Sequence, residues 1–145
     1  MQPKVDYLGY CIDKDGLHTM PDKVMAITEA PRPGSVRELR AFLGLVQYYG
    51  RFINNLSTVA QPLNKLLCKG VLWRWSEACD RAFKKLKTTL ASAEVLAHYD
   101  PELQVKLDCD ASAYGVGAVL SHTYPDGSER PIAYASRTLS APEKK

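Results

Sequence analysis

The spacing of apolar residues changes period twice along the 145-residue chain, and the first stretch is short and alternating. In VDYLGYCIDKDGLHTM, two extended runs flank Lys14-Asp15-Gly16, and Asp-Gly favours the positive φ of a tight hairpin turn. A short helix is predicted next, because Pro21 suits a first helical turn while Pro31 and Pro33 cannot continue one. The pattern therefore predicts a β-hairpin followed by one short helix.

The middle stretch has helical periodicity. Ser35 and Glu38 form a capping-box pattern, which indicates where a helix begins. Apolar residues then recur at steps of three and four: Leu39, Phe42, Leu43, Val46, Tyr49 and Phe52. STVAQPLNKLLCKG predicts a second helix ending at Gly70, and Ser76 opens a third, whose inner stripe is Ala82, Phe83, Leu86 and Leu90. Residues 35–93 are thus predicted to form a three-helix unit, with Trp73 and Trp75 packing in a connection.

Beyond Asp100-Pro101 the period becomes two, which is typical of strands. Val105, Leu107 and Cys109 alternate with Lys106, Asp108 and Asp110. A second apolar run covers 116–121 and RPIAYASR forms a third, so three consecutive antiparallel strands are predicted. TLSAPEKK resembles the start of a helix. The predicted class is α+β, with an N-terminal hairpin, a helical unit and a three-stranded sheet in chain order.

Charge is unevenly distributed over the chain, whose net charge is +3. Ten Lys and Arg residues but only three acidic ones lie between Arg37 and Lys87, so the predicted helical unit is strongly basic. Such a surface suits a polyanion, although solvated helix faces explain it equally well. No apolar run reaches the length of a membrane span, and the N-terminus lacks a signal-peptide layout. We therefore expect a cytoplasmic or nuclear protein without a membrane partner.

Asp108 and Asp110 have the clearest chemical potential. Their side chains share one face of the predicted strand, roughly 6.6 Å apart along it. Two ionised carboxylates at this spacing either face solvent or bind a hard divalent cation such as Mg²⁺. The scattered cysteines lack the spacing of a zinc site or a disulfide framework. Gly115-x-Gly117 lacks the third glycine and the following helix of a dinucleotide-binding loop.

Four segments closely resemble consecutive motifs of the Pol polyproteins of gypsy-type LTR retrotransposons. They are VDYLGYCIDKDGLHTMPDKVMAI, LRAFLGLVQYYGRFI, STVAQPLNKLL and LDCDASAYGVGAVLSHTYPDGSERPIAYASRTLSAPE. The resemblance implies the end of a reverse transcriptase palm over 1–20, a basic thumb- or connection-like unit over 21–93, and the N-terminal part of a truncated RNase H-like domain over 94–145. It also implies RNA-directed DNA synthesis and cleavage of RNA in RNA–DNA hybrids, with the remainder of a Pol polyprotein as partner.

The resemblance also implies roles for individual residues. YLGY resembles the primer grip, so Tyr7, Leu8, Gly9 and Tyr10 are expected to position the primer end. DAS resembles the first RNase H carboxylate motif, so Asp110 is expected to be catalytic and to ligate Mg²⁺ in a two-metal site; Asp108 has no matching role. The thumb-like helices imply contacts with an RNA–DNA hybrid or template–primer duplex through basic residues: Arg37, Arg40, Arg51, Lys65, Lys84, Lys85 and Lys87.

The chain departs from the family pattern in several places. The Y-x-D-D motif of the polymerase would precede Met1. Of the four RNase H carboxylates of the family, the sequence matches only the first. Glu143 matches an earlier glutamate of the family than the catalytic one, and Gly50 stands where the family usually has an arginine. We therefore expect no polymerase activity and little or no RNase H activity from this chain alone. A non-catalytic nucleic-acid-binding module and a relic without function are the alternatives.

Overall fold

The computed structural model of the chain describes residues 3–144, which form two antiparallel sheets and a helical unit. Strands β1 (Lys4–Tyr7), β2 (Tyr10–Asp13) and β3 (Leu17–Thr19) make the first sheet. The helices are α1 (Pro21–Thr28), α2 (Val36–Tyr48), α3 (Leu56–Val59), α4 (Gln61–Leu66) and α5 (Glu77–Ala91), with a 3₁₀ turn at Gly50–Phe52. Strands β4 (Gln104–Ala111), β5 (Gly115–Thr123) and β6 (Glu129–Thr138) make the second sheet, and a 3₁₀ turn follows at Pro142–Lys144. The predicted α+β class is confirmed.

The first sheet contains a turn that the alternation of the sequence does not reveal. The predicted turn over 14–16 is confirmed, since it joins β2 to β3. A second hairpin precedes it, in which Tyr7 pairs with Tyr10 and the intervening Leu8 and Gly9 have φ of 48° and 80°. Two positive φ values are the pattern of a type I′ turn, and the left-handed conformation costs a leucine about 1–2 kcal/mol. The YLGY motif is therefore a turn, where the sequence predicts continuous strand.

Two helices of the helical unit begin where the sequence predicts, but a third predicted helix is divided into two. Ser35 Oγ accepts the Glu38 N–H at 3.3 Å, and Ser76 Oγ accepts the Cys79 N–H at 3.2 Å, so both predicted starts are confirmed. The single helix predicted over STVAQPLNKLLCKG is wrong: α3 and α4 are separate helices, because Pro62 has no N–H to donate and stands at the start of α4. None of the helices within residues 3–144 is long and apolar enough to cross a membrane.

The second sheet is an antiparallel meander with a well-defined register. Asp108 pairs with Val119 and Asp110 with Gly117, so the two carboxylates lie on one face of β4, as predicted. Apolar residues alternate with them, and Leu107 on the opposite face remains 62% exposed. The three predicted strands are confirmed, and both carboxylates lie on β4, an edge strand of the sheet.

One hydrophobic core joins the helices to both sheets. The buried residues of α2 and α5 are Leu39, Phe42, Val46, Cys79, Ala82, Phe83, Leu86 and Leu90. Tyr10 of the first sheet and Tyr134 of β6 pack against this core. Leu17 and Leu96 exchange two backbone hydrogen bonds of 2.8 and 3.0 Å, which tie β3 to the segment before β4. The hairpin, the helical unit and the second sheet therefore pack around a shared interior.

Candidate nucleic-acid interface and carboxylate site

The YLGY turn packs against the C-terminal end of α2. Tyr10 stacks on Tyr48 with ring centroids 5.3 Å apart, and its hydroxyl donates to the Tyr48 carbonyl at 2.7 Å. The Tyr49 hydroxyl donates to the Gly9 carbonyl, also at 2.7 Å. Burial raises the pKa of Tyr10 and of Tyr49, because a phenolate would lose hydration there. These contacts fix the turn on the helix and leave Leu8 exposed at its tip.

The outer face of α2 continues from this turn. Arg37, Arg40, Gly44 and Tyr48 are exposed at steps of three and four, so they share one side of the helix. Apart from the backbone of α2 itself and the residues next to Gly44 in the chain, no atom of residues 3–144 lies within 4 Å of the position where a Gly44 Cβ would lie, so tight packing does not explain this glycine. Gly44 instead lines a groove of about 370 Å³ between α1 and α2. The face combines cations at one end, open backbone at its centre and an aromatic ring at the other end.

The remaining predicted cations are dispersed over the helical unit. Four of them are exposed: Arg51, Lys65, Lys84 and Lys85. Lys84 forms an ion pair with Asp80 at 2.7 Å on the same helix. Lys87 is turned toward the protein, since its Nζ donates to the Ala30 carbonyl at 2.7 Å and lies 4.6 Å from the centre of the Phe83 ring. Lys87 therefore packs within the helical unit, although its spacing on α5 suggests an outward position.

The two predicted carboxylates have different surroundings. Asp110 is exposed on β4. Asp108 forms an ion pair with Lys106 at 3.2 Å, and Lys106 also binds Glu129 at 3.0 Å. The hydrogen bond to Glu129 is the largest cause of a raised pKa at Lys106, followed by that to Asp108. Asp108 thus belongs to an ion-pair network on the sheet.

A pocket of about 210 Å³ opens beside Asp110. Its walls come from two parts of the chain, because Asn54 and Asn55 precede α3 whereas Asp108, Asp110 and Gly117 belong to the sheet. Across residues 3–144, no three or more His, Cys, Asp or Glu side chains come together as a metal-binding group. Carboxylate and carboxamide oxygens nevertheless suit Mg²⁺. The pocket therefore fits part of a magnesium site, with Asp110 as its available carboxylate.

Glu143 is engaged in a local contact. Its two carboxylate oxygens accept hydrogen bonds from the Arg137 guanidinium at 2.8 and 3.0 Å. Ser140 donates to it through its N–H at 2.9 Å and through its hydroxyl at 2.7 Å. The Arg137 guanidinium, assisted by Ser140, lowers the pKa of Glu143 to about 2. Capping of the final 3₁₀ turn accounts for this glutamate without a catalytic role.

Proteins of similar sequence identify the family. Residues 75–145 match the RNase H-like domain found in reverse transcriptase. The retrovirus-related Pol polyprotein from transposon gypsy of Drosophila melanogaster is 39% identical over 152 residues, which cover 97% of this chain and 14% of that polyprotein. The chain belongs to the gypsy-type retrotransposon Pol family. The Tf2-3 transposon polyprotein of Schizosaccharomyces pombe is 36% identical over 139 residues, covering 96% of this Pol segment and 10% of that polyprotein.

Solved structures share the fold of the Pol segment. A foamy viral protease-reverse transcriptase dRH in complex with double-stranded DNA matches with a TM-score of 0.81 and 25% identity, over 100% of the segment and 25% of that chain. A foamy viral protease-reverse transcriptase in complex with an RNA/DNA hybrid matches with a TM-score of 0.79 and 26% identity, over 99% of the segment and 20% of that chain. The segment therefore spans between 10% and 25% of the proteins named here. The resemblance drawn from the four motifs is confirmed.

The Pol segment brings together residues that sequence patterns do not connect. The YLGY turn meets α2 at Tyr48, and Asp110 shares a pocket with Asn55. Motif reasoning misses both partners, because each lies far from its neighbour in the chain. The contact between Asn55 and the sheet does leave one signal in the sequence, the pair Gly115 and Gly117, since glycines inside a strand indicate close approach by another segment.

Proposed function

We propose that this Pol segment grips an RNA–DNA hybrid or template–primer duplex with the outer face of α2 and the YLGY turn. The observation that carries the proposal is the exposed row of Arg37, Arg40, Gly44 and Tyr48, which the Tyr10–Tyr48 stack joins to the turn. Guanidinium groups neutralise phosphates, and a glycine lets a sugar–phosphate backbone approach the helix closely. The foamy viral complexes with double-stranded DNA and RNA/DNA hybrid support nucleic acid as the ligand.

Within this interface we assign the primer end to the YLGY turn. Tyr7 and Leu8 are 61% and 70% exposed, whereas Gly9 and Tyr10 are held against α2. A rigid base with an exposed tip is suited to position one strand of a duplex. Other exposed cations of the helical unit add phosphate contacts, among them Arg51, Lys65 and Lys85. Lys84 and Lys87 contribute less, because each already contacts the protein.

We further propose that Asp110 is a catalytic Mg²⁺ ligand for cleavage of RNA in RNA–DNA hybrids. Its exposed carboxylate beside carboxamide oxygens supports this role. Bound Mg²⁺ would supply activation of water and charge stabilisation at the phosphate that is cleaved. The two-metal site implied by the family resemblance needs further carboxylates, which the proposal assigns to the remainder of the Pol polyprotein.

Fluorescence anisotropy of a labelled RNA–DNA hybrid, measured over a salt series, tests the interface. Arg37→Ala and Arg40→Ala should each weaken binding and reduce the slope of log affinity against log salt by about 0.7–0.9. Arg130→Ala is the matched control, because it removes the same charge from β6, where Arg130 lies 4.9 Å from the centre of the Tyr124 ring. Equal effects of the three substitutions would overturn the assignment to α2.

A cleavage assay on the same hybrid tests whether this chain alone acts as a nuclease. Binding without Mg²⁺-dependent cleavage is the result expected of a non-catalytic module or of an incomplete nuclease. Efficient cleavage that Asp110→Asn abolishes would contradict the expectation of little activity in this chain alone. A broad, non-cooperative thermal melt together with salt-insensitive binding would instead favour a relic without function.

A further inference from the structure

Gly117 leaves a gap opposite Asp110. The two residues pair across β4 and β5, and Gly117 also pairs with Ser136 on β6, so the three positions lie on one face of the sheet. Directly paired side chains have Cβ atoms about 4.5–5.5 Å apart. Strand β5 therefore contributes no side chain beside Asp110 at this point.

Asn55 occupies the gap. A Cβ atom added to Gly117 would collide with Asn55 Oδ1, which means that the carboxamide lies directly on the β5 backbone. Asn55 is half-buried, and it lines the same pocket as Asp110. The carboxamide thus takes the position next to Asp110 that a side chain at 117 would otherwise take.

The backbone and its neighbours hold this segment in place. Asn55 has φ 52° and ψ 38°, a left-handed conformation that asparagine adopts more readily than most residues. The Ser57 N–H donates to Ser136 Oγ at 3.0 Å, and the hydroxyls of Thr58 and Ser112 are hydrogen-bonded at 3.0 Å. The start of α3 is therefore anchored both to β6 and to the residue that follows β4.

We propose that Asn55 is a positioning residue for Asp110, supplied by the helical unit to the carboxylate site of the sheet. A carboxamide offers an N–H donor that can hold a carboxylate in one orientation, and an oxygen that suits a hard divalent cation. This inference rests on the proposed role of Asp110 as a metal ligand. It makes the site composite, so that the site is complete only when the start of α3 is docked on β5.

Binding of Mn²⁺ to the 145-residue chain, followed by electron paramagnetic resonance of the free ion, tests the inference. Asn55→Asp should tighten binding about tenfold, because it adds a carboxylate beside Asp110 and Asp108. Asn55→Gly should weaken binding about threefold by removing the carboxamide, while glycine keeps the left-handed backbone. Asn64→Asp is the matched control, since it adds the same charge on α4 at a residue outside the pocket wall. Thermal melts verify that each variant is folded.

The outcomes distinguish the inference from the function on which it rests. Asp110→Asn should abolish specific Mn²⁺ binding; if it leaves the affinity unchanged, the proposed role of Asp110 fails, and the role of Asn55 fails with it. If Asp110→Asn abolishes binding but Asn55→Asp behaves as Asn64→Asp does, Asp110 remains a ligand and the inference about Asn55 is overturned. A loss of affinity in folded Asn55→Gly together with a gain specific to Asn55→Asp supports the inference, because removal of the carboxamide from a purely structural asparagine would leave the affinity of the folded chain unchanged.

Discussion

Tyr10 and Tyr48 lie nearly parallel, with 14° between their ring planes. One ring belongs to the first sheet and the other to α2, and the Tyr10 hydroxyl also donates to the Tyr48 carbonyl. The hairpin tip and the outer face of α2 therefore form one continuous surface. A duplex that contacts α2 would be held at a fixed distance from the YLGY turn.

Tyr10→Phe should lower the free energy of unfolding by about 1 kcal/mol, because it removes the hydroxyl that bonds to the Tyr48 carbonyl and keeps the ring. Urea denaturation measures the difference. Tyr7→Phe is the matched control, since Tyr7 is 61% exposed. A similar loss in both variants would mean that the hydrogen bond does not fix the turn on α2.

Gly44→Ala should move stability and binding in opposite directions. The free energy of unfolding should rise by about 1 kcal/mol, because alanine favours a helix and open space surrounds the site. Hybrid affinity should fall, since the added methyl holds the duplex backbone away from α2, and Gly44→Gln should lower it further. Denaturation and anisotropy on the same samples measure the two effects. Unchanged affinity in Gly44→Gln would show that the duplex does not approach α2 at this position.

Lys87→Met and Lys85→Met should separate a packing lysine from a binding lysine. Lys87→Met removes the hydrogen bond to the Ala30 carbonyl, so the free energy of unfolding should fall by about 1 kcal/mol with little change in hybrid affinity. Lys85 is exposed, so Lys85→Met should weaken hybrid binding and leave stability unchanged. The reverse pattern would contradict the assigned orientation of α5.

Arg137→Ala should raise the pKa of Glu143 from about 2 toward its ordinary value of 4.5. A carboxyl group whose pKa is lowered by folding stabilises the protein at pH values above its ordinary pKa. That stabilisation is lost as the pH falls toward the pKa of the folded state. The difference in free energy of unfolding between the parent chain and Arg137→Ala should therefore narrow as the pH is lowered from about 5 toward about 2. Titration of the Glu143 side-chain carboxyl carbon by NMR checks the shift. An ordinary pKa in the parent chain would remove the basis of this prediction.

Features encoded within a few residues could be predicted from the sequence. Ser35 and Ser76 begin their helices because their hydroxyls accept N–H groups three residues ahead. The apolar stripes of α2 and α5 are buried because helical spacing alone places them on one side. Asp108 and Asp110 share a face because strands alternate. In each case the cause lies within the element itself.

Features that depend on contacts between distant segments could not be predicted. Leu8 adopts positive φ although it is not a favoured residue there, in a turn that Tyr48 and Tyr49 hold from α2. The division of STVAQPLNKLLCKG at Pro62 is a miss of another kind, because its cause is local and was outweighed by the helical periodicity. Asn55 carries no motif, and its place on Gly117 becomes visible only when the sheet is folded.

The fit of Asn55 and Ser57 against Gly117 and Gly115 has a consequence for recombination between related retrotransposons. A crossover between 57 and 115 would join the start of α3 from one parent to strand β5 from another. A Cβ at either glycine would collide with the side chain docked on it, Ser57 at 115 and Asn55 at 117. Viable chimaeras should therefore inherit the two segments from the same parent, or carry glycine at both strand positions.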